Sequence, residues 1–494
     1  MGPTIYSRFK TFAELTPDRP AIIDERSCVN YSGLDRMVDT LISRFPSFIP
    51  ARVGVVMDHG VEMTASLLAI NKAGAAFVAV EPDYPPERLV RFLTENGVDF
   101  VITQEKYASL VSAFTRLIVG QAVISDPALH PLPDRSNPDR AAYILYSTSP
   151  SGFPMGIMVG NRQVIAMADR FGKTFNITPD DVLLQYSSCT MNIFIEETFG
   201  TLLNGACLAI PSAATRNDPE ALIHFADDQY VSIISGYPYL LHELNKMKSL
   251  PLTLRTVISG GEQLSPTSIN HLLEQITVYN TYGPAEATVF STCYCCNEGY
   301  SLSSGNYPIG RPLDGVEIML LDDDLQPVAD GQEGEICIAG TGVAESFTGD
   351  HRTEMLPRLT SLTDGTRIVR TGDIGIRLED GNLAYTRRKD TEVNILGRRV
   401  VTSEVERTIL ASGEVKECIV VHYPDEKGSD YLVAYVVPAS RSFSLSWLKN
   451  SMAQYLPHYM IPEFFVLLRQ LPLTESGSVN SQALPIVLKD AEAV

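Results

Sequence analysis

The chain has no apolar run long enough to span a bilayer, and its start carries no secretory apolar segment. Positive charge is also scarce: 39 Lys and Arg stand against 59 Asp and Glu, a formal net charge of −20. That balance excludes a surface built to neutralise nucleic-acid phosphate, and any nucleotide site must supply its own local compensation. The opening Met-Gly-Pro-Thr-Ile-Tyr places Tyr6 where a myristoylation signal needs Ser or Thr. Eight cysteines scattered over 494 residues do not make a disulfide framework. Cys293, Cys295 and Cys296 read as a strand with two thiols on one face rather than a metal site, and the eight histidines form no spaced ligand set. Gly-x-Ser-x-Gly and Gly-x-x-x-x-Gly-Lys signatures are absent. A soluble, cytoplasmic protein with no membrane or nucleic-acid partner is expected.

What is present is an ordinary globular composition, 45% hydrophobic and 20% charged, at a length that calls for at least two domains. From about residue 60 to 280, short β-branched runs (75–80, 100–103, 208–210, 231–234, 256–258) alternate with helical patterns such as 197–203 and 239–247. This rhythm predicts an α/β fold, a large domain of mixed or largely parallel sheets with helices. From 288 to about 386 it becomes strands with turn signals at Asp364-Gly365 and Asp380-Gly381, which predicts an antiparallel or barrel-like β-rich subdomain. Beyond Asp390, two helical segments and two strands predict a small α+β unit. The expected division is a domain of residues 1–389 and a mobile one of 390–494.

Three segments carry chemistry. Tyr146 to Gly156 follows an apolar strand and precedes a helix-like run, and its Thr148, Ser151 and Gly152 suit the wrapping of phosphate oxygens, although from the residues alone a plain Ser/Pro surface loop is the favoured reading. Asn280-Thr281-Tyr282-Gly283-Pro284-Ala285-Glu286 sets an aromatic ring and a carboxylate about a tight turn, as for stacking a base and holding Mg²⁺, and reads as well as a simple turn with an exposed Glu. Thr371-Gly372-Asp373 offers a carboxylate able to accept from ribose hydroxyls, although by itself the tripeptide reads as an ordinary turn. Gly260 and Gly261, after the strand 256–258, permit close backbone approach.

In this order, and with Lys72 to Val78, Gly334 to Ile338, Leu456 to Pro462 and Leu471 to Thr474, these segments resemble the adenylation domains of nonribosomal peptide synthetases. Those belong to the wider family of acyl- and aryl-CoA ligases and luciferases. The resemblance runs from about Tyr31 to Leu484. It implies a large N-terminal domain, a small C-terminal domain hinged at Asp390, and two reactions: a carboxylate and ATP give an acyl-adenylate, and a thiol or amine then takes the acyl group. It puts Tyr282 against adenine, Asn280 near the adenine amino group, Asp373 and Arg388 on the ribose, Glu286 on Mg²⁺, and Gly260 and Gly261 on the cleft floor. The acyl pocket it implies is formed by Asn192, Ile193, Glu196, Ser235, Ile258, Gly260, Thr281, Val289 and Phe290. Asn192 replaces the aspartate that holds an amino acid's ammonium, as in members that take aryl, hydroxy or keto acids; Glu196 is read either as an alternative partner for an amine or as a surface carboxylate.

The departures fall on the phosphate side. Met155 and Ser478 stand where the family has its two catalytic lysines, Pro150 replaces a glycine-serine donor, and Asn394 and Leu396 replace usually basic residues. A unit charge about 4 Å from phosphate is worth roughly 4 kcal/mol at an effective dielectric near 20, so these losses bear on rate. No lysine nearby obviously stands in for them; Lys389 and Lys489 are the weak candidates. Three readings stay open: a stand-alone ligase with unusual catalytic groups, a degenerate nucleotide-binding scaffold, and a protein acting on a preformed adenylate or thioester. With the resemblance reaching Leu484, a thiol acceptor is expected from a separate carrier protein or coenzyme A.

Overall fold

The protein is described from a computed structural model covering residues 2–120, 131–148, 154–389, 392–424, 430–440, 443–472 and 483–487. The predicted hinge Asp390, the loop residues Ser149, Pro150, Ser151 and Gly152, and Ser478 and Lys489 near the end lie outside these residues.

The α/β region forms two sheets, of seven and nine strands, in keeping with the mixed and parallel sheets expected of the N-terminal domain. In the seven-stranded sheet the order is Ser346–Thr348, Pro154–Gly160, Ala141–Thr148, Ala76–Ala79, Arg52–Val56, Phe100–Thr103, Thr115–Ile118. The nine-stranded sheet has a parallel middle, with Thr277–Tyr282, Thr256–Ser259, Ile233–Gly236, Val182–Leu184 and Cys207–Ile210 in succession, and antiparallel strands at both edges. Both sheets contribute to one large apolar core, in which helices Ile5–Leu15, Val61–Lys72 and Asn161–Thr174 also pack. Strands that read as continuous β-branched runs are buried on both faces, as the sequence pattern requires of parallel sheets.

The β-rich subdomain is an open antiparallel sheet of five strands, built on Val316–Leu321, Gly334–Gly340 and Arg367–Arg377. The smaller C-terminal part has its own core. A two-stranded hairpin, Glu392–Ile395 with Arg398–Val401, leads into helix Thr402–Ala411 and a three-stranded sheet of Val415–Tyr423, Tyr431–Pro438 and Phe464–Leu467. No described helix is long and apolar enough to cross a membrane.

One expectation changes with consequence. Strand Ala141–Thr148 pairs antiparallel with Pro154–Gly160, in a register that sets Ser147 against Met155 and Thr148 against Pro154. The segment between them therefore joins strand to strand, and the helix begins only at Asn161. A helix N-terminus, with its orphan N–H groups and dipole, does not stand at the end of that loop.

Candidate active site

A cleft of about 1200 Å³ opens between the nine-stranded sheet, the β-rich subdomain and the C-terminal part. That is ample for a nucleotide-sized ligand. Its walls include Ser147, Asn192, Gly261, Asn280, Thr281, Tyr282, Glu286, Asp373 and Arg388. Residues separated by more than two hundred positions thus meet on one surface.

The Tyr282-Gly283-Pro284 turn is tightly supported. A Cβ on Gly283 would lie 2.6 Å from backbone atoms of Val289 and Phe290, so the turn closes on the following segment only with glycine. That segment is itself strained, with φ of 56° at Thr288 and 78° at Val289. The left-handed region is unfavourable for a β-branched residue, and such strain gathers at functional sites. Tyr282 donates its hydroxyl to Asp373 Oδ2 at 2.7 Å, and Arg388 donates to Asp373 Oδ1 at 2.8 Å. Burial and the neighbouring Asp373 carboxylate push the Tyr282 phenol well up, so it remains a donor. The ring and the carboxylate predicted for adenine and ribose stand side by side. Asn280 spends one of its two side-chain N–H groups on the Pro308 carbonyl at 2.8 Å, which anchors it to the floor.

Three sequence expectations are corrected. Met155 is fully buried in the main apolar core with Ile157 and Val159, so its thioether is packing rather than a blunted cleft group. Lys389 does not stand in for a missing lysine: it pairs with Asp323 and lies 3.6 Å from Glu335. Glu196 is not a surface carboxylate. It opens a wide helical turn, Glu196–Gly200, after Asn192–Ile195, and the extra residue of such a turn re-aims side chains. Glu196 is 2% exposed, accepts the Ser235 hydroxyl at 2.5 Å, and is raised by burial to about 7. Its neighbour Glu197 is also buried, receiving the Ser187 N–H and hydroxyl and the Tyr186 N–H.

The remaining acyl-pocket residues gather around this point. Ile258, Val289 and Phe290 belong to the main core, while Ile193 packs with Met191 and Tyr237. Gly260 lies against Thr281 and Ile193. Asn192 reaches the carbonyls of Gly283 and Val289 at 3.4 Å each.

Glu286, the expected magnesium ligand, is 1% exposed and already engaged. Arg399 donates to its Oε1 at 2.8 Å, and Arg358 Nη1 lies 3.8 Å from the same oxygen. Burial alone would raise this carboxyl, but the two guanidiniums hold it below the usual range. Arg399 Nε also meets Glu392 Oε2 at 2.5 Å, and Glu392 takes Arg358 at 2.7 Å and Arg388 at 2.6 Å. Sequence reasoning missed Arg399, Glu392 and Arg358. Only Arg398-Arg399, a basic pair just after the noted Leu396 loop in an acidic chain, offered a signal.

The hairpin that carries Arg399 is docked on the cleft. Asn394 donates to the Gly261 carbonyl at 2.7 Å, and the Gly397 N–H donates to Glu262 Oε1 at 2.5 Å. Gly397 has φ 72°, and a Cβ there would lie 2.0 Å from the Tyr237 ring. Arg398 stacks over Tyr459 at 4.6 Å, and Arg88 pairs with Glu404.

One cluster the sequence spacing did not reveal is His59, Glu81 and Cys189, whose ligand atoms lie within 4.8 Å of one another. Its hydrogen bonds are spent internally: His59 Nε2 meets Glu81 Oε1 at 2.9 Å, the Cys189 N–H donates to the same oxygen at 2.8 Å, and Arg216 sits 3.2 Å from His59 Nδ1. With a guanidinium against the imidazole and a thiol pushed well up by burial, it reads as a buried polar joint.

Comparisons with known proteins agree on the fold. The AMP-binding enzyme family matches residues 9–347, and the AMP-binding enzyme C-terminal domain matches residues 404–478. Bacitracin synthase 2 of Bacillus licheniformis is 31% identical over 98% of this chain, and tyrocidine synthase 1 of Brevibacillus parabrevis is 29% identical over 98%. The chain spans 18% and 45% of those relatives' lengths. Among solved structures, an artificially fused adenylation–PCP di-domain NRPS from Klebsiella oxytoca superposes with a TM-score of 0.83 at 23% identity, covering 94% of this chain and 93% of that one. The amide bond synthetase McbA from Marinactinospora thermotolerans gives 0.87 at 19%, covering 97% and 98%.

Proposed function

Since this chain belongs to the AMP-binding enzyme family, as an adenylation domain of the nonribosomal-peptide-synthetase type, we propose that its cleft holds the adenosine phosphate of ATP or of an acyl-adenylate. In this reading the protein activates a carboxylic acid and passes the acyl group to a thiol or an amine, the acceptor being a carrier protein or another component of a natural-product assembly. The observation that carries it is the Tyr282–Asp373–Arg388 group on one cleft wall, an aromatic face beside a carboxylate held by two donors. Asn192 and the buried, Ser235-bonded Glu196 favour an acid without an α-ammonium, because neither presents a settled negative charge to the cleft. Acid-dependent ATP–pyrophosphate exchange across a panel of aryl, hydroxy, keto and amino acids tests it. Exchange with at least one acid supports the reading; no exchange, together with no AMP binding, refutes it.

The burial of Met155 and the Arg399 contact on Glu286 favour a second reading. Here the protein keeps nucleotide affinity and acts on a preformed acyl-adenylate, or only as a scaffold. Supplying a synthetic acyl-adenylate with a thiol or amine separates these: acceleration by the protein supports transfer, and tight AMP binding without acceleration supports the scaffold.

A further inference from the structure

Resting on the nucleotide reading above, we propose that the closed cleft takes a nucleoside monophosphate or its acyl ester without a divalent cation. Arg399, backed by Arg358, holds the carboxylate a metal would need, so a divalent ion and the docked hairpin compete for Glu286.

Glu286 offers two oxygens. The first is taken by Arg399 at 2.8 Å with Arg358 at 3.8 Å. The second is out of reach of solvent and has no hydrogen-bond partner among the described residues. Magnesium binds at about 2.0–2.1 Å in octahedral geometry and keeps several of its waters. Two guanidiniums within 4 Å of the same oxygen fill that shell and repel a dication, so the residues as arranged do not fit the metal. Arginine does not lose its charge at any ordinary pH, so no titration clears the space.

Displacing the side chain alone is disfavoured too. Arg399 is tied through Nε to Glu392 on the same hairpin, and the hairpin is pinned by Asn394 on Gly261 and Gly397 on Glu262. The metal enters when the hairpin leaves. A monophosphate ester, which needs no metal to balance a triphosphate's charge, suits the closed arrangement.

The test is calorimetric binding of AMP to the full chain in EDTA and in millimolar MgCl₂, with hydrogen exchange of residues 394–399 in parallel. Wild type is expected to bind AMP within about twofold in the two buffers, whereas Arg399→Gln, with Glu286 released, gains about tenfold or more from Mg²⁺. Magnesium-dependent AMP binding by wild type overturns the proposal. No AMP binding in either buffer overturns both it and the nucleotide reading beneath it. Hydrogen exchange needs no variant: MgATP is expected to raise exchange at the Gly397 amide and AMP in EDTA to leave it protected. Unchanged protection under saturating MgATP overturns the competition.

Discussion

Replacing Glu196 by glutamine should remove a large part of the loss of stability that rising pH brings. The carboxyl is 2% exposed, and its only described hydrogen-bond donor is the Ser235 hydroxyl. Burial raises it from an ordinary 4.5 to about 7. The folded chain therefore holds this proton more tightly than the unfolded one. Its contribution is fully present below pH 4.5 and is lost as pH rises through about 7. At about 1.4 kcal/mol per pH unit over that interval, the loss reaches about 3 kcal/mol by pH 8. Glutamine keeps an oxygen to accept from Ser235 and carries no charge. Glu196→Gln is thus expected to be close to wild type at pH 5 and up to about 3 kcal/mol more stable at pH 8. Urea unfolding at pH 5, 6, 7 and 8, followed by circular dichroism, reads the difference. Glu197, buried in both proteins and raised further by its charged neighbour, moves the comparison in the same direction. A gap between variant and wild type that is the same at pH 5 and pH 8 would refute the argument.

Met155→Lys should not restore a catalytic cation. It sets an ammonium into the main apolar core, and an unpaired buried charge costs about 3–5 kcal/mol, visible as a lower melting temperature with no gain in pyrophosphate exchange. Asp373→Asn removes the carboxylate shared by Tyr282 and Arg388 and is expected to weaken AMP binding by about tenfold or more, the scale of a lost charged hydrogen bond, as calorimetry would show. Gly397→Ala meets both a left-handed backbone and the Tyr237 ring, so limited proteolysis should cut within residues 392–401 faster than in wild type, with the N-terminal core unaffected.

Much of the architecture was legible because the strands of a parallel sheet are short, apolar and β-branched: the run 100–103 returns as strand Phe100–Thr103 with its bounds unchanged. The strand order within each sheet was not, since it is set by which helices cross over, and periodicity carries no record of it. The loop after Tyr146 was read as strand-to-helix because Met155 to Gly160 is apolar enough to suit either state; only pairing with Ala141–Thr148 decides it. In the site, the resemblance set Tyr282 and Asp373 together, and their side chains do meet, although neither turn alone announced it. Met155 was misread because a motif position fixes where a residue lies along the chain and not which way it packs. Arg399 escaped for a different reason: its role exists only when a hairpin more than a hundred positions away closes onto Glu286.

The linked side chains across the cleft comprise Glu286, Asp373 and Glu392 on one side of the balance and Arg358, Arg388 and Arg399 on the other. Within this linked set three anions offset three cations, inside a chain of formal charge −20. Capture of a phosphate ester then draws nothing from long-range steering and begins only at contact distance. The association rate of AMP should be flat or rise gently as added salt screens the surrounding acidic surface, the reverse of a cleft that attracts its anion from afar.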